Sequence, residues 1–221
     1  MNLKSFLRLS VAASALCAGV ATAVPVTFDF ANNASKNSPV FDDLLQLSQG
    51  GLNLNVSAQK ESLFGFSGTD VSRSVNGLGV KGGESNAEVD GKSGDERLKF
   101  DFSQDVEIQS ISFLFFDGDD EAKIYDYDVK FFWDEYVTTI EKNETSTING
   151  ISTFTFSDNF FTSLLGLTAS DSSDNFTVKS LTVNTKAAAT ASVPEPSIVA
   201  LLGLGLIGLG LARRRNASVG M

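Results

Sequence analysis

The sequence predicts an all-β protein: one β-sandwich or jelly-roll-like domain, flanked by an N-terminal signal peptide and a C-terminal transmembrane helix. Three observations lead there. Apolar and polar side chains alternate at period two through most of the chain, the pattern of strands with one buried face. Apolar runs with basic neighbours stand near both termini. The 169 residues between them, 24–192, suffice for one sizeable core.

That middle region is acidic: it holds 26 of the 27 acidic and 12 of the 17 basic residues, a net charge of −14. Such a charge disfavours nucleic acid and anionic lipid as partners and suits solubility outside a cell, or divalent cations. The chain has no histidine, and its one cysteine, Cys17, lies in the N-terminal apolar run. Ser-His-Asp and Cys-His nucleophilic sites are thereby excluded, as are zinc sites built on His or Cys. Without a disulfide, burial alone must hold the domain.

Taken in order, Lys4 and Arg8 precede the apolar run 11–20, and Ala21-Thr22-Ala23 forms an A-x-A cleavage site. Residues 1–23 therefore read as a secretory signal peptide, with the mature chain starting near Val24. Val26, Phe28 and Phe30 begin the alternation, and Leu52, Leu54 and Val56 continue it. Leu98, Phe100 and Phe102 follow, then Val106 and Ile108, then Ile111, Phe113 and Phe115. The longest alternation covers residues 125–133, with Tyr125, Tyr127, Val129, Phe131 and Trp133 on one side. Phe154 and Phe156, then Phe176, Val178, Leu181 and Val183, complete the domain, 24–185. Asn76-Gly77 and Asn149-Gly150 are hairpin-turn pairs. Residues 42–47 and 159–167 read as short helix or coil insertions, and residues 186–192, rich in Ala, Ser and Thr, as a linker.

Eighteen phenylalanines raise the question of sugar stacking, but most stand at inward parity, where they build core. Trp133, the sole tryptophan, is the best candidate for an exception, at a strand end beside Asp134, Glu135 and Tyr136, although core or rim packing is the first reading there too. Two acidic stretches invite calcium. Asp117-Gly118-Asp119-Asp120-Glu121 sets oxygens at alternating positions, but Ala122 stands where an EF-hand loop requires glycine, which leaves an acidic loop between strands. Glu88, Asp90, Asp95 and Glu96 should face one another across the turn 91–94, where they would hold calcium with backbone carbonyls or end two strands in solvent. Two carboxylates about 5–10 Å apart would serve glycoside hydrolysis. With 26 acids in the region, sequence singles out no pair, and the domain is expected not to be an enzyme.

The C-terminal stretch is the most specific. Val193-Pro194-Glu195-Pro196 cannot sit inside a helix or a central strand, because proline fixes φ and lacks an N–H. Residues 198–212 are Leu, Ile, Val, Ala and Gly alone, and Arg213, Arg214 and Arg215 follow. A helix over about 197–212 would be about 22 Å long, short of a hydrocarbon core of about 30 Å but able to span with snorkelling arginines. The arginines belong on the cytoplasmic side, which places the domain across the membrane. Gly203, Gly205 and Gly208 satisfy G-x-G-x-x-G, yet no strand precedes them, so helix packing is the better account.

This tripeptide, apolar span and basic tail resemble the bacterial PEP-CTERM sorting signal. The resemblance implies a transient anchor that a membrane-embedded exosortase cuts near the Pro-Glu-Pro, in cells that make exopolysaccharide or biofilm matrix. Gly77-Leu78-Gly79-Val80, Glu88-Val89-Asp90 and Asp95-Glu96-Arg97-Leu98 also resemble a loose pattern in exported domains of such proteins, with no activity attached. The expected function is a non-catalytic envelope or extracellular-matrix protein with a surface or biofilm role. One alternative is a calcium-assisted polysaccharide-binding module using Trp133; the other is a carboxylate-based glycoside hydrolase.

Overall fold

The computed structural model describes residues 23–31, 39–82, 87–128, 135–157, 159–169 and 171–185. Fifteen strands are found among them. The first eight are β1 (Pro25–Asp29), β2 (Val40–Asp42), β3 (Leu45–Gln49), β4 (Leu52–Ser62), β5 (Gly65–Thr69), β6 (Val71–Ser74), β7 (Gly77–Val80) and β8 (Val89–Asp90). Then come β9 (Glu96–Leu114), β10 (Glu121–Asp126), β11 (Glu135–Glu141), β12 (Ser146–Ile148), β13 (Ile151–Thr155), β14 (Phe161–Ala169) and β15 (Asn175–Thr185). They pair antiparallel, and the order β11-β10-β14-β9-β15-β7-β6-β2 forms the main path of the sheet.

The nineteen-residue strand β9 organises this sheet. Its first half lies between β4 and β14, so that Phe100 is opposite both Val56 and Leu165. Its second half lies between β15 and β13, with Ile111 opposite Leu181 and Phe154. In the first half the even positions Leu98, Phe100 and Phe102 are buried, and Val106 and Ile108 continue that parity. Beyond it Ile111 and Phe113 are buried instead. The register against β15 slips where Thr182 faces Ser110 and Val183 faces Ile108, leaving Gln109 over. One extra residue reverses which face looks inward. β1 pairs with β15, yet Phe28 and Phe30 reach Phe102 and Phe100 on the first half, at ring-centroid distances of 6.4 and 5.9 Å. The sheet therefore closes over one apolar core, which lies within the compact unit Ala23–Ala188.

Several expectations need correction. Residues 42–47 hold parts of β2 and β3, and residues 159–167 lead into β14, rather than forming insertions. In β14 every residue from Leu165 to Ala169 is buried, and a strand covered on both faces shows no polar alternation. Three runs between Leu98 and Phe113 are one strand, joined through bulges. Phe115 is exposed at a φ of 63°, whereas Phe116 is buried and stacks on Phe113 with centroids 4.8 Å apart. The alternation from Tyr125 stops at Asp126, whose Oδ1 accepts the Asp128 N–H at 2.9 Å and the Thr162 hydroxyl at 2.8 Å. This aspartate turn closes the strand. Phe131 and Trp133 lie outside the described residues. Ser74 faces Gly77, so the hairpin loop is Val75-Asn76, one residue earlier than expected. Asn149 and Gly150, at φ of 52° and 78°, form the expected turn between β12 and β13.

Ala23 is exposed coil. Ala21, the Pro-Glu-Pro, the apolar run and the arginine tail lie outside the described residues. Among the described residues no helix is long and apolar enough to cross a membrane.

Candidate functional site

Three loops meet beside the ends of β9: residues 91–95, 115–120 and 171–174. Two buried aspartates hold them, each closing its own loop and gripping the strand that follows the other's. Asp120 Oδ2 accepts the Asp117 N–H at 2.6 Å, and its Oδ1 accepts the Asn175 N–H at 2.7 Å. Asp174 Oδ2 accepts the Asp171 N–H at 2.8 Å, and its Oδ1 accepts the Glu121 N–H at 2.9 Å. The two residues are 2% and 1% exposed. Burial pushes the Asp120 carboxyl up to about 6; its two N–H donors oppose the shift, while the charges of Asp117 and Asp174 add to it. Gly91 completes the junction. Its N–H donates to the Asp174 carbonyl at 3.2 Å, and a Cβ there would stand 2.2 Å from the Asp171 carbonyl oxygen.

The four calcium candidates separate into different roles. Glu96 is fully buried: its Oε2 accepts the Asp90 N–H at 3.1 Å, and Lys60 Nζ stands 3.5 Å from Oε1. Burial pushes its carboxyl up to about 7, against the Asp90 N–H and Lys60, which favour the charged form. Asp90, also buried, accepts the Lys92 N–H on Oδ1 at 2.7 Å. Asp95 is half-buried beside Glu61, and its carboxyl is raised by burial first and then by the Glu61 charge. Glu88 lines a cleft of about 360 Å³ with Asp90, Lys92 and Asp174. A larger cleft, about 590 Å³, runs along Asp119, Asp120 and Glu121 to Glu141 and Lys142. Among the described residues, no group of three or more Asp, Glu, His or Cys is disposed to hold a metal ion.

Sequence reasoning named Asp117–Glu121 but missed Asp174, whose partner Glu121 is 53 positions away. It missed Lys60 and Glu61 for the same reason. It also missed Asp43, whose carboxyl is raised by a hydrogen bond to Asp70 and by that neighbour's charge, while Asp70 is held down by Lys81. No local pattern joins Asp43 to Asp70; only the β-register does.

A second feature lies on the outward face of β9. Arg97 stacks on Phe66 at 3.8 Å and faces Tyr125 and Tyr127 at 5.3 and 5.2 Å, while its Nε–H donates to Thr168 Oγ1 at 3.1 Å. Lys99 stands 4.2 Å over Tyr127, and Tyr136 packs edge-on against Tyr125 at 6.0 Å. All three tyrosines of the chain meet here. Phe28, Phe30, Phe100, Phe102, Phe113 and Phe176, by contrast, are buried in the core, as their parity predicts.

Residues 192–215 match the family model described as the PEP-CTERM protein-sorting motif. The chain carries a PEP-CTERM sorting motif. That motif marks an exported protein sorted to the cell envelope through exosortase processing. No curated protein matches the chain. Among solved structures, the family 32 carbohydrate-binding module from C. perfringens NanJ in complex with galactose is similar over 59% of this chain and 92% of its own. Identity is 12% and the TM-score 0.31, too distant a likeness to bear on fold or ligand.

Proposed function

We propose that this protein is a non-catalytic component of the cell envelope or extracellular matrix, displaying a β-sandwich-like domain outside the membrane. Residues 1–23 direct export, the apolar run at about 197–212 is a transient inner-membrane anchor, and Val193-Pro194-Glu195-Pro196 is the processing signal. The carrying observation is the sorting motif at residues 192–215, directly after a domain that holds its own core. The buried carboxylates support a structural role for the acidic end, because Glu96, Asp120 and Asp174 each accept main-chain N–H groups. Glu195→Ala or Pro196→Ala should leave full-length protein in the inner membrane of exosortase-containing cells. Normal release at the shortened mass would remove this reading.

Glycan recognition is a second reading, favoured by the tyrosines around Arg97 and Lys99, since aromatic faces beside polar groups suit sugar rings. Polysaccharide pulldown with and without chelator, repeated on Tyr136→Ala, tests it together with the role of calcium. Retention unaffected by the Tyr136 substitution would count against this face.

A further inference from the structure

Two tripeptides of this chain are near twins in chemistry, Val75-Asn76-Gly77 and Ile148-Asn149-Gly150. A glycine after asparagine leaves its main-chain nitrogen open to the asparagine side chain, because no Cβ stands in the way. The fold gives the two pairs opposite surroundings. Gly77 is buried and faces Ser74 inside the β6–β7 ladder, at a φ of 125°. A Cβ there would lie 2.3 Å from the Val178 carbonyl oxygen, so this backbone has no room to turn. The Asn76 carbonyl accepts the Thr177 hydroxyl at 3.0 Å, and the Asn76 N–H donates to Ser74 Oγ at 3.2 Å.

Asn149 and Gly150 are both exposed and lie beyond the last ladder pair, Ile148 with Ile151. Among the described residues, no atom lies within 4 Å of where a Gly150 Cβ would stand. The strand before them, β12, is three residues long and exposed throughout. Local opening of such a hairpin costs little, since little burial is lost.

We propose that Asn149 deamidates spontaneously in the folded domain, while the fold protects Asn76. The Gly150 nitrogen bonds to Asn149 Cγ, and the side-chain nitrogen leaves as ammonia, taking up the Gly150 proton. Water then opens the cyclic imide. Breaking the imide bond to the main-chain carbonyl gives isoaspartate; breaking the bond to Cγ gives aspartate. Either product adds one negative charge beside a cleft of about 480 Å³ that Asn149 lines with Ser146, Ile148, Thr153 and Lys179. Isoaspartate also lengthens the main chain by one carbon, within a two-residue loop built on φ of 52° and 78°. The turn that sets the register of β12 on β13 is thereby lost. The site is a slow, one-way change of charge and shape, independent of sorting and of any ligand.

The test needs only the chain and water. The protein is incubated folded and, in parallel, in denaturant, and its peptides are mapped by mass spectrometry that separates isoaspartate from aspartate. In the folded protein Asn149 should convert at least tenfold faster than Asn76, with isoaspartate in excess. In denaturant the two rates should converge, because the flanking residues are so alike. An Asn149 that stays intact in the folded protein while it converts in denaturant would overturn the proposal. So would an Asn76 that keeps pace with it in the folded state, since the fold would then protect neither. Aspartate without isoaspartate would rule out the cyclic route.

Discussion

The two halves of β9 and the loops at its ends are stabilised by opposite means. Between Leu98 and Phe113 the strand buries two apolar series, Leu98 to Phe102 and Val106 to Phe113, separated by the exposed residues 103–105, against β4, β14, β15 and β13. At the ends, carboxylates buried almost as completely hold main-chain N–H groups of neighbouring loops. Apolar burial is non-directional and tolerates small shifts, whereas a buried carboxylate is favourable only while its donors stay in place. The core should therefore decide whether the domain folds, and the acidic end how its loops are set.

The largest effect should come from the core. Phe100→Asp puts a charge where Val56, Leu165 and Phe30 converge and should abolish folding, read as loss of the β-type far-ultraviolet dichroism of the Ala23–Ala188 fragment. Phe100→Ala should cost about 3–5 kcal/mol in a denaturant titration. A folded Phe100→Asp domain would show that the inward parity of β9 is misassigned.

Next comes the clasp. Asp174→Ala leaves the N–H groups of Asp171 and Glu121 without their acceptor, at about 1–3 kcal/mol for each buried donor. Denaturant midpoint should fall while the dichroism spectrum stays β-type. An unchanged midpoint would mean that water replaces the aspartate at no cost, and the loops are held otherwise.

The pH dependence should be smaller and of defined sign. Glu96 rises from 4.5 to about 7 on folding, and Asp120 from 3.8 to about 6, so the folded state holds protons that the unfolded state has released. Their contribution is complete below the unfolded values and is lost as pH climbs through the folded ones. The thermal midpoint should therefore fall between pH 5 and pH 8. Each group changes stability by at most about 1.4 kcal/mol per pH unit, and by less where water screens the loops. Glu96→Gln should flatten the upper part of that profile. A midpoint that rises over this range would mean that Lys60 and the Asp90 N–H outweigh burial at Glu96.

Calcium should have the smallest effect. With Glu96 and Asp90 bonded to main-chain N–H groups, matched calcium and magnesium should give equal thermal midpoints, since both act only by screening. A calcium-specific rise, about 2.7 kcal/mol at a hundredfold excess over Kd, would instead make this end a cation site. Its disappearance in Glu88→Gln with Asp90→Asn would locate the ion.

Strand identity was legible wherever one face meets water. Val26 and Phe28, Leu52 to Val56 and Leu98 to Phe102 alternate because their neighbours are solvated, and the structure buries those apolar positions. The same logic fails in β14, which is covered on both faces, and at Phe115 and Phe116, where a sharp turn moves the inward place by one residue.

The sequence by itself determined the address and the folding principle. The sorting motif is contiguous, and period-two alternation needs only neighbouring residues to be visible. Tertiary structure decided what lies far apart in the chain. It brought Asp120 to Asn175 and Asp174 to Glu121, gathered three tyrosines around Arg97, and left Leu63 and Phe64 in water at a hairpin tip. Register and bulges set these meetings, and a single extra residue such as Gln109 reverses every side chain beyond it, which no local pattern records.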